Sequence, residues 1–136
     1  MSPEENKATI RRFYEEVITQ KHLAVLEELL GDPYVSHDLP SELPALKGFI
    51  SSFHAAFPDG KMTIEQVIAE GDTVSMRGTF RGTHTGQFHN IPPTGKAVTV
   101  PALDMYHLRG GKMVEHWGGP NQLSLLQQLG VIPPME

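Results

Sequence analysis

No cysteine occurs among the 136 residues, so a disulfide framework, a thiolate nucleophile and a thiolate metal site are all excluded. Basic residues are few: 11 Lys and Arg against 16 Asp and Glu leave a net charge of -5, and the basic side chains are scattered along the chain. That balance argues against a nucleic-acid partner, because phosphate binding draws on clustered Lys and Arg. No stretch approaches the run of about 20 apolar residues that a membrane helix needs. The opening Met1-Ser2-Pro3-Glu4-Glu5 is acidic and lacks the basic and apolar regions of a signal peptide, so a cytoplasmic protein with no membrane partner is the expectation. Tryptophan is confined to Trp117, whereas histidine occurs seven times and is the one unusual abundance. The length fits one domain, residues 1–136, with one core.

Ser2, Pro3 and Glu5 form the start signal of a first helix, with an N-cap, a first-turn proline and a capping-box partner. Ile10, Phe13, Tyr14 and Val17 then recur at helical spacing and point Tyr14 inward. Leu23, Leu26, Leu29 and Leu30 predict a second helix that stops at Gly31-Asp32-Pro33, followed by a connection carrying Tyr34 to His37. A third helix starts near Ser41, and Leu46, Phe49, Ile50, Phe53 and Phe57 form its apolar face. The period then changes from helical to alternating. Strands are expected at residues 61–69, 73–85, 98–108 and 112–117, the first two joined by Glu70-Gly71-Asp72. A short helix at residues 121–129 with cap residues Asn121 and Gly130 follows, and the Pro-rich tail, residues 131–136, reads as loose. Helices segregated from an antiparallel sheet indicate the α+β class.

Strand alternation shows which polar groups share a face with the core. Val74, Met76, Gly78, Phe80, Gly82 and His84 form one such face. Val98, Val100, Ala102, Asp104, Tyr106 and Leu108 form another, which sets one carboxylate among apolar neighbours. A buried carboxylate is costly unless paired or protonated, and acid/base residues are tuned in that way. Two readings of Asp104 fit: a structural carboxylate bonded to a backbone amide or a tyrosine hydroxyl, or an acid/base group. Pro101 marks a candidate bulge that would reverse the face on one side of it. His84 reads either as a core histidine satisfied by its own Gly-rich turn or as a pocket contact. His37 is either a solvated loop residue or a group at the mouth between helices 2 and 3. His54 reads as a packing residue at the edge of helix 3. Trp117 is placed on a face with Met113 and Glu115 and reads as core, interface or wall. No two histidines have the i, i+4 spacing of a helical zinc motif, so no metal site is expected.

The segments Tyr34-Val35-Ser36-His37, Gly82-Thr83-His84-Thr85-Gly86, Ile91-Pro92-Pro93-Thr94-Gly95-Lys96, Gly111-Lys112-Met113-Val114-Glu115-His116-Trp117 and Gln128-Leu129-Gly130 appear in the order and spacing of a known group. Together they resemble the SnoaL-like polyketide cyclases of the nuclear transport factor 2 superfamily. The resemblance implies a cone-shaped curved antiparallel sheet with three N-terminal helices enclosing an apolar pocket, and a homodimer formed through the outer face of the sheet. It also implies an intramolecular aldol reaction without a cofactor, which needs a positioned base and donors aimed at an enolate oxygen. The acid/base aspartate of those cyclases falls at Gly118 here, and the position of Asp104 is a histidine in them. The ketosteroid isomerases of the same superfamily fit the polar residues better, with Tyr14 matching their tyrosine, His37 their base, and Asp104 the neutral carboxylic acid that donates to the oxyanion.

The expected function is cofactor-independent proton transfer alpha to a carbonyl, by aldol cyclisation or isomerisation, in a small, apolar, cyclic or polyketide-like ligand. His37 is the expected base, Asp104 and Tyr14 stabilise the enolate, and His84, Trp117, Phe53 and Tyr106 contact the substrate. Two other readings stand beside it. One is a module that binds a hydrophobic small molecule without turning it over. The other is hydration or hydrolysis as in the superfamily's epoxide hydrolases, whose Asp-Arg-Asp arrangement has no counterpart placed in this chain.

Overall fold

The computed structural model describes residues 2–133, so the end of the tail expected to be loose, from residue 134, lies outside the described residues. Helix α1 (Pro3–Arg12) begins with the capping box that its sequence predicts: the Glu5 amide donates to the Ser2 hydroxyl and the Glu5 carboxylate accepts from Ser2. It continues as a wider, π-helical stretch over Phe13–Thr19, and Ile10, Phe13, Tyr14 and Val17 are all buried. A 3-10 turn (Leu23–Val25) leads into the short α2 (Leu26–Leu29), and α3 (Leu43–Ala56) lies further on. The strands are β1 (Leu30–Ser36), β2 (Lys61–Glu70), β3 (Thr73–Thr83), β4 (Ala97–Arg109) and β5 (Lys112–Pro120), and α4 (Gln122–Leu129) closes the described fold. Asn121 caps α4, and the left-handed Gly130 ends it.

The result is a mixed α+β fold, with four α-helices and one curved, open, five-stranded sheet among the described residues, in the order β1-β5-β4-β3-β2. No helix among the described residues is long and apolar enough to cross a membrane.

Strand β1 corrects the expectation of four strands. The residues read as a helix stop and connection, Gly31-Asp32-Pro33 and Tyr34 to Ser36, form an edge strand parallel to β5. An edge position tolerates proline because one side of the strand needs no ladder partner, and the irregular register between Leu30 and Val35 erases the alternation that would have revealed a strand.

Strand β4 alternates without a break from Ala97 to Leu108, with Val98, Val100, Ala102, Asp104, Tyr106 and Leu108 buried. Pro101 sits on the outer side and pairs in register with Thr79, so no bulge forms there. The bulge lies instead between β4 and β5. Leu108 pairs with Met113 but His107 pairs with Glu115, which leaves Val114 as the extra residue. Every β5 side chain beyond Val114 therefore changes face. Met113 and His116 are buried, while Trp117 points outward, contrary to the predicted face of Met113, Glu115 and Trp117.

Candidate active site

A narrow cavity of about 70 Å³ opens between the concave face of the sheet and the helices. Its body is apolar, with Leu46, Phe49, Ile50, Phe53 and Phe57 on or beside α3 facing Met62 and Phe80 of the sheet. One end is polar and gathers Tyr14, Tyr34, Asp104, Tyr106 and His116. At the other polar point His54 donates from Nε2 to the Ile18 carbonyl at 3.0 Å, and burial pushes its imidazole below its ordinary value.

Asp104 and His116 lie diagonally across the β4–β5 ladder, where Asp104 pairs with Gly118 and Tyr106 with His116, and Asp104 Oδ1 lies 2.7 Å from His116 Nε2 with both side chains buried. Burial of this pair is affordable in free energy because each group supplies the other's partner. Tyr106 stacks obliquely on the His116 ring at 4.8 Å, and its hydroxyl lies 2.5 Å from the Tyr14 hydroxyl. Behind His116, Ser36 Oγ lies 2.8 Å from Nδ1. One hydrogen-bonded chain thus runs Asp104, His116, Ser36.

The phenols at this end are held neutral. Burial first, and then the charges of Tyr106 and Asp104, push Tyr14 well above its ordinary value, and burial with Asp104 does the same to Tyr106. Tyr34 is pushed up to about 12, again chiefly by burial. All three therefore keep their protons and are available as O–H donors. The folded state holds these protons more tightly than the unfolded chain, so the stability they contribute is full below the ordinary tyrosine value of 10.0 and is lost as pH rises above it, through about 12 for Tyr34. Urea midpoints are expected to fall between about pH 8 and about pH 11, and to fall less in a protein carrying Tyr14→Phe and Tyr106→Phe. Equal sensitivity in both proteins would contradict the assignment.

Tyr14, Asp104, Tyr106 and Phe53 line the cavity, whereas His37, His84 and Trp117 do not. In β1 the side chains of Tyr34 and Ser36 point inward, so alternation turns Val35 and His37 out. The His37 ring stacks on Trp117 with centroids 5.0 Å apart, and its Nε2 meets Glu115 at 2.7 Å. His37 is thus removed from the place expected of a base, and Trp117 from the wall. His84 is buried outside the cavity, where its Nδ1 accepts from the Thr94 amide at 3.1 Å in the connection ahead of β4, its Nε2 has no hydrogen-bond partner, and burial lowers its imidazole. It is a core histidine, but one bonded by that connection and not satisfied by its own Gly-rich turn.

His116, Tyr34 and Ser36 are the residues that sequence reasoning did not single out. Gly118, directly opposite Asp104, takes a left-handed φ of +98°, and a Cβ there would come 2.1 Å from the Leu103 carbonyl oxygen. No side chain fits at that position.

A curved sheet with helices over its concave face and a buried Asp–His pair at one end of an apolar cavity defines the class of cone-shaped α+β pocket proteins. The sequence profile of the SnoaL-like polyketide cyclases matches residues 8–129, and the chain belongs to that family. Among solved structures it is similar to IdmH, a candidate polyketide cyclase from Streptomyces antibioticus, with 31% identity, a TM-score of 0.78, and coverage of 92% of this chain and 98% of that one. AclR, a candidate hydroxylase from Streptomyces galilaeus, is 27% identical with a TM-score of 0.86, over 99% of this chain and 87% of that one. A candidate polyketide cyclase from Bacillus cereus is 26% identical with a TM-score of 0.81, over 97% of this chain and 87% of that one. No curated protein matches the chain in sequence.

Proposed function

We propose that the protein catalyses cofactor-independent proton transfer alpha to a carbonyl in a small, apolar, polyketide-like substrate, with Asp104 as the base. The observation that carries this reading is the buried Asp104–His116 contact of 2.7 Å beside the Tyr14–Tyr106 hydroxyl pair, at the one strongly polar end of an apolar cavity. His116 engages Oδ1 of Asp104, which leaves Oδ2 to take the proton. The C–H bond breaks, its electron pair becomes the enolate double bond, and the negative charge gathers on the carbonyl oxygen. Tyr14, kept neutral and backed by Tyr106, donates to that oxygen, where a fixed donor in a dry site counts far more than in water. The enolate carbon then attacks a second carbonyl of the same molecule and closes a ring, or the proton returns at another carbon and the product is an isomer. No oxidant or reductant enters this balance.

The largely apolar lining also suits a module that holds a hydrophobic ligand unchanged. Turnover separates the two readings: a catalyst converts its ligand with Asp104 and not with Asp104→Asn, whereas a binding module converts it with neither.

The same proposal includes a homodimer formed through the outer face of the sheet. Leu103, Met105 and Trp117 are exposed there, with Met105 and Trp117 opposite each other in the ladder, and Leu103 is 66% exposed. Light scattering should give a dimer mass for the native protein and a monomer mass for a protein carrying Leu103→Asp and Met105→Glu. A native monomer at tens of micromolar would refute it.

A further inference from the structure

We propose that Ser36 is a positioning residue that holds the His116 tautomer in step with the proton on Asp104; this rests on the acid/base reading of that pair. The Ser36 hydroxyl accepts from the Leu39 amide at 3.0 Å and lies 2.8 Å from His116 Nδ1, so its own hydrogen is free to point at that nitrogen. A hydroxyl is the smallest side-chain group able both to donate and to accept. Ser36 therefore serves both states of the pair.

When Asp104 is ionised, His116 carries its hydrogen on Nε2 and donates it to Oδ1, and Nδ1 accepts from Ser36. When Asp104 carries a proton on Oδ1, the oxygen facing His116, it donates to Nε2, the imidazole hydrogen sits on Nδ1, and Ser36 accepts it. A proton taken from substrate on Oδ2 is a separate state of the carboxyl group. The passage between the two balances as one proton gained: a hydronium ion from solvent gives a proton to Ser36 Oγ and becomes water, the Ser36 hydrogen moves to Nδ1, and the Nε2 hydrogen moves to Asp104 Oδ1. His116 is neutral before and after. The route matters because His116 is buried, whereas Ser36 is half-buried on the edge strand β1, the nearest link of the chain to solvent. The other ionisable side chains at this end are Tyr34 from β1, Tyr106 from β4 and Tyr14 from the first helix. All three phenols are held protonated, so none of them competes for the proton.

The test is nitrogen NMR of the histidine rings in the full-length protein at one pH near neutrality, with His116 assigned by its disappearance in His116→Gln. The native ring should show a single tautomer protonated on Nε2. Ser36→Ala should move the ring shifts or mix the tautomers, and Ser36→Thr should restore them. Ser41→Ala supplies the structural control. Ser41 braces the same turn, accepting from the Ser36 amide at 2.8 Å and donating to the Ser36 carbonyl at 3.2 Å, without touching His116. Its ring signals should stay native. With a verified substrate, Ser36→Ala should lower kcat about tenfold at unchanged KM, and Ser36→Thr should recover it. Identical His116 signals in native and Ser36→Ala proteins, or equal changes in Ser36→Ala and Ser41→Ala, would overturn the proposal. The readings fail separately: ring signals that answer to Ser36 while Asp104→Asn retains full turnover would leave the coupling standing and remove the catalytic role of Asp104.

Discussion

Replacing Asp104 with Asn is expected to lower kcat/KM by about 10²–10⁴-fold while the protein stays folded, because the amide cannot accept the substrate proton. The substitution keeps the volume of the side chain, and the amide oxygen still accepts from His116 Nε2, so the buried 2.7 Å contact keeps a partner. Removing one member of a buried pair costs stability, so the thermal midpoint should fall, while the retained contact to His116 keeps the variant folded at assay temperature. Activity and stability therefore part company in this variant, and steady-state kinetics beside a thermal scan reads both. A loss of activity that merely follows a loss of structure would mean that Asp104 is a structural carboxylate. Retention of activity within about threefold would mean the same.

Gly118→Asp is expected to destabilise the protein by at least about 3 kcal/mol and to restore no chemistry, although it introduces the carboxylate that the family resemblance places there. Two independent facts set the cost. The backbone stands at a φ of +98°, which side-chain-bearing residues rarely adopt, and the new Cβ would lie 2.1 Å from the Leu103 carbonyl oxygen, a backbone atom that cannot swing aside. The Gly118 amide also donates to Asp38 at 2.6 Å, a bond that any local shift would break. Chemical denaturation of Gly118→Ala and Gly118→Asp checks this, and the alanine variant alone should show most of the loss. A variant as stable as the native protein would show that the strand can move, and would reopen position 118 as an acid/base site.

The contrast between these two positions also explains what the sequence could disclose. Asp104 was legible because β4 alternates without interruption for its whole length, so its neighbours alone declare which way it points. Tyr14 and Phe53 were legible through helical spacing, and both line the cavity. His116 was hidden by one extra residue: the bulge at Val114 inverts the face of everything after it, and no glycine or proline in Lys112 to Trp117 announces it. The same inversion turned Trp117 outward. His37 was misplaced because the short edge strand β1, interrupted by Pro33, reads as a connection, and only as a strand does it turn Tyr34 and Ser36 in and His37 out. The helices, the hairpins and the α+β class come from periodicity and caps within single segments. The Asp104–His116 pair comes from the register between two strands, which a single segment does not carry.

The central claim, that the Asp104–His116 pair removes a proton next to a carbonyl, is tested most directly by hydrogen exchange at that carbon. Native protein and Asp104→Asn protein would be incubated in heavy water with a panel of small cyclic ketones and 1,3-diketones, and deuterium at the alpha carbon followed by mass spectrometry. The expected result is enzyme-dependent deuterium uptake by at least one member of the panel with the native protein, and uptake at the uncatalysed rate with Asp104→Asn. Uptake that is equally fast with both proteins would contradict the claim.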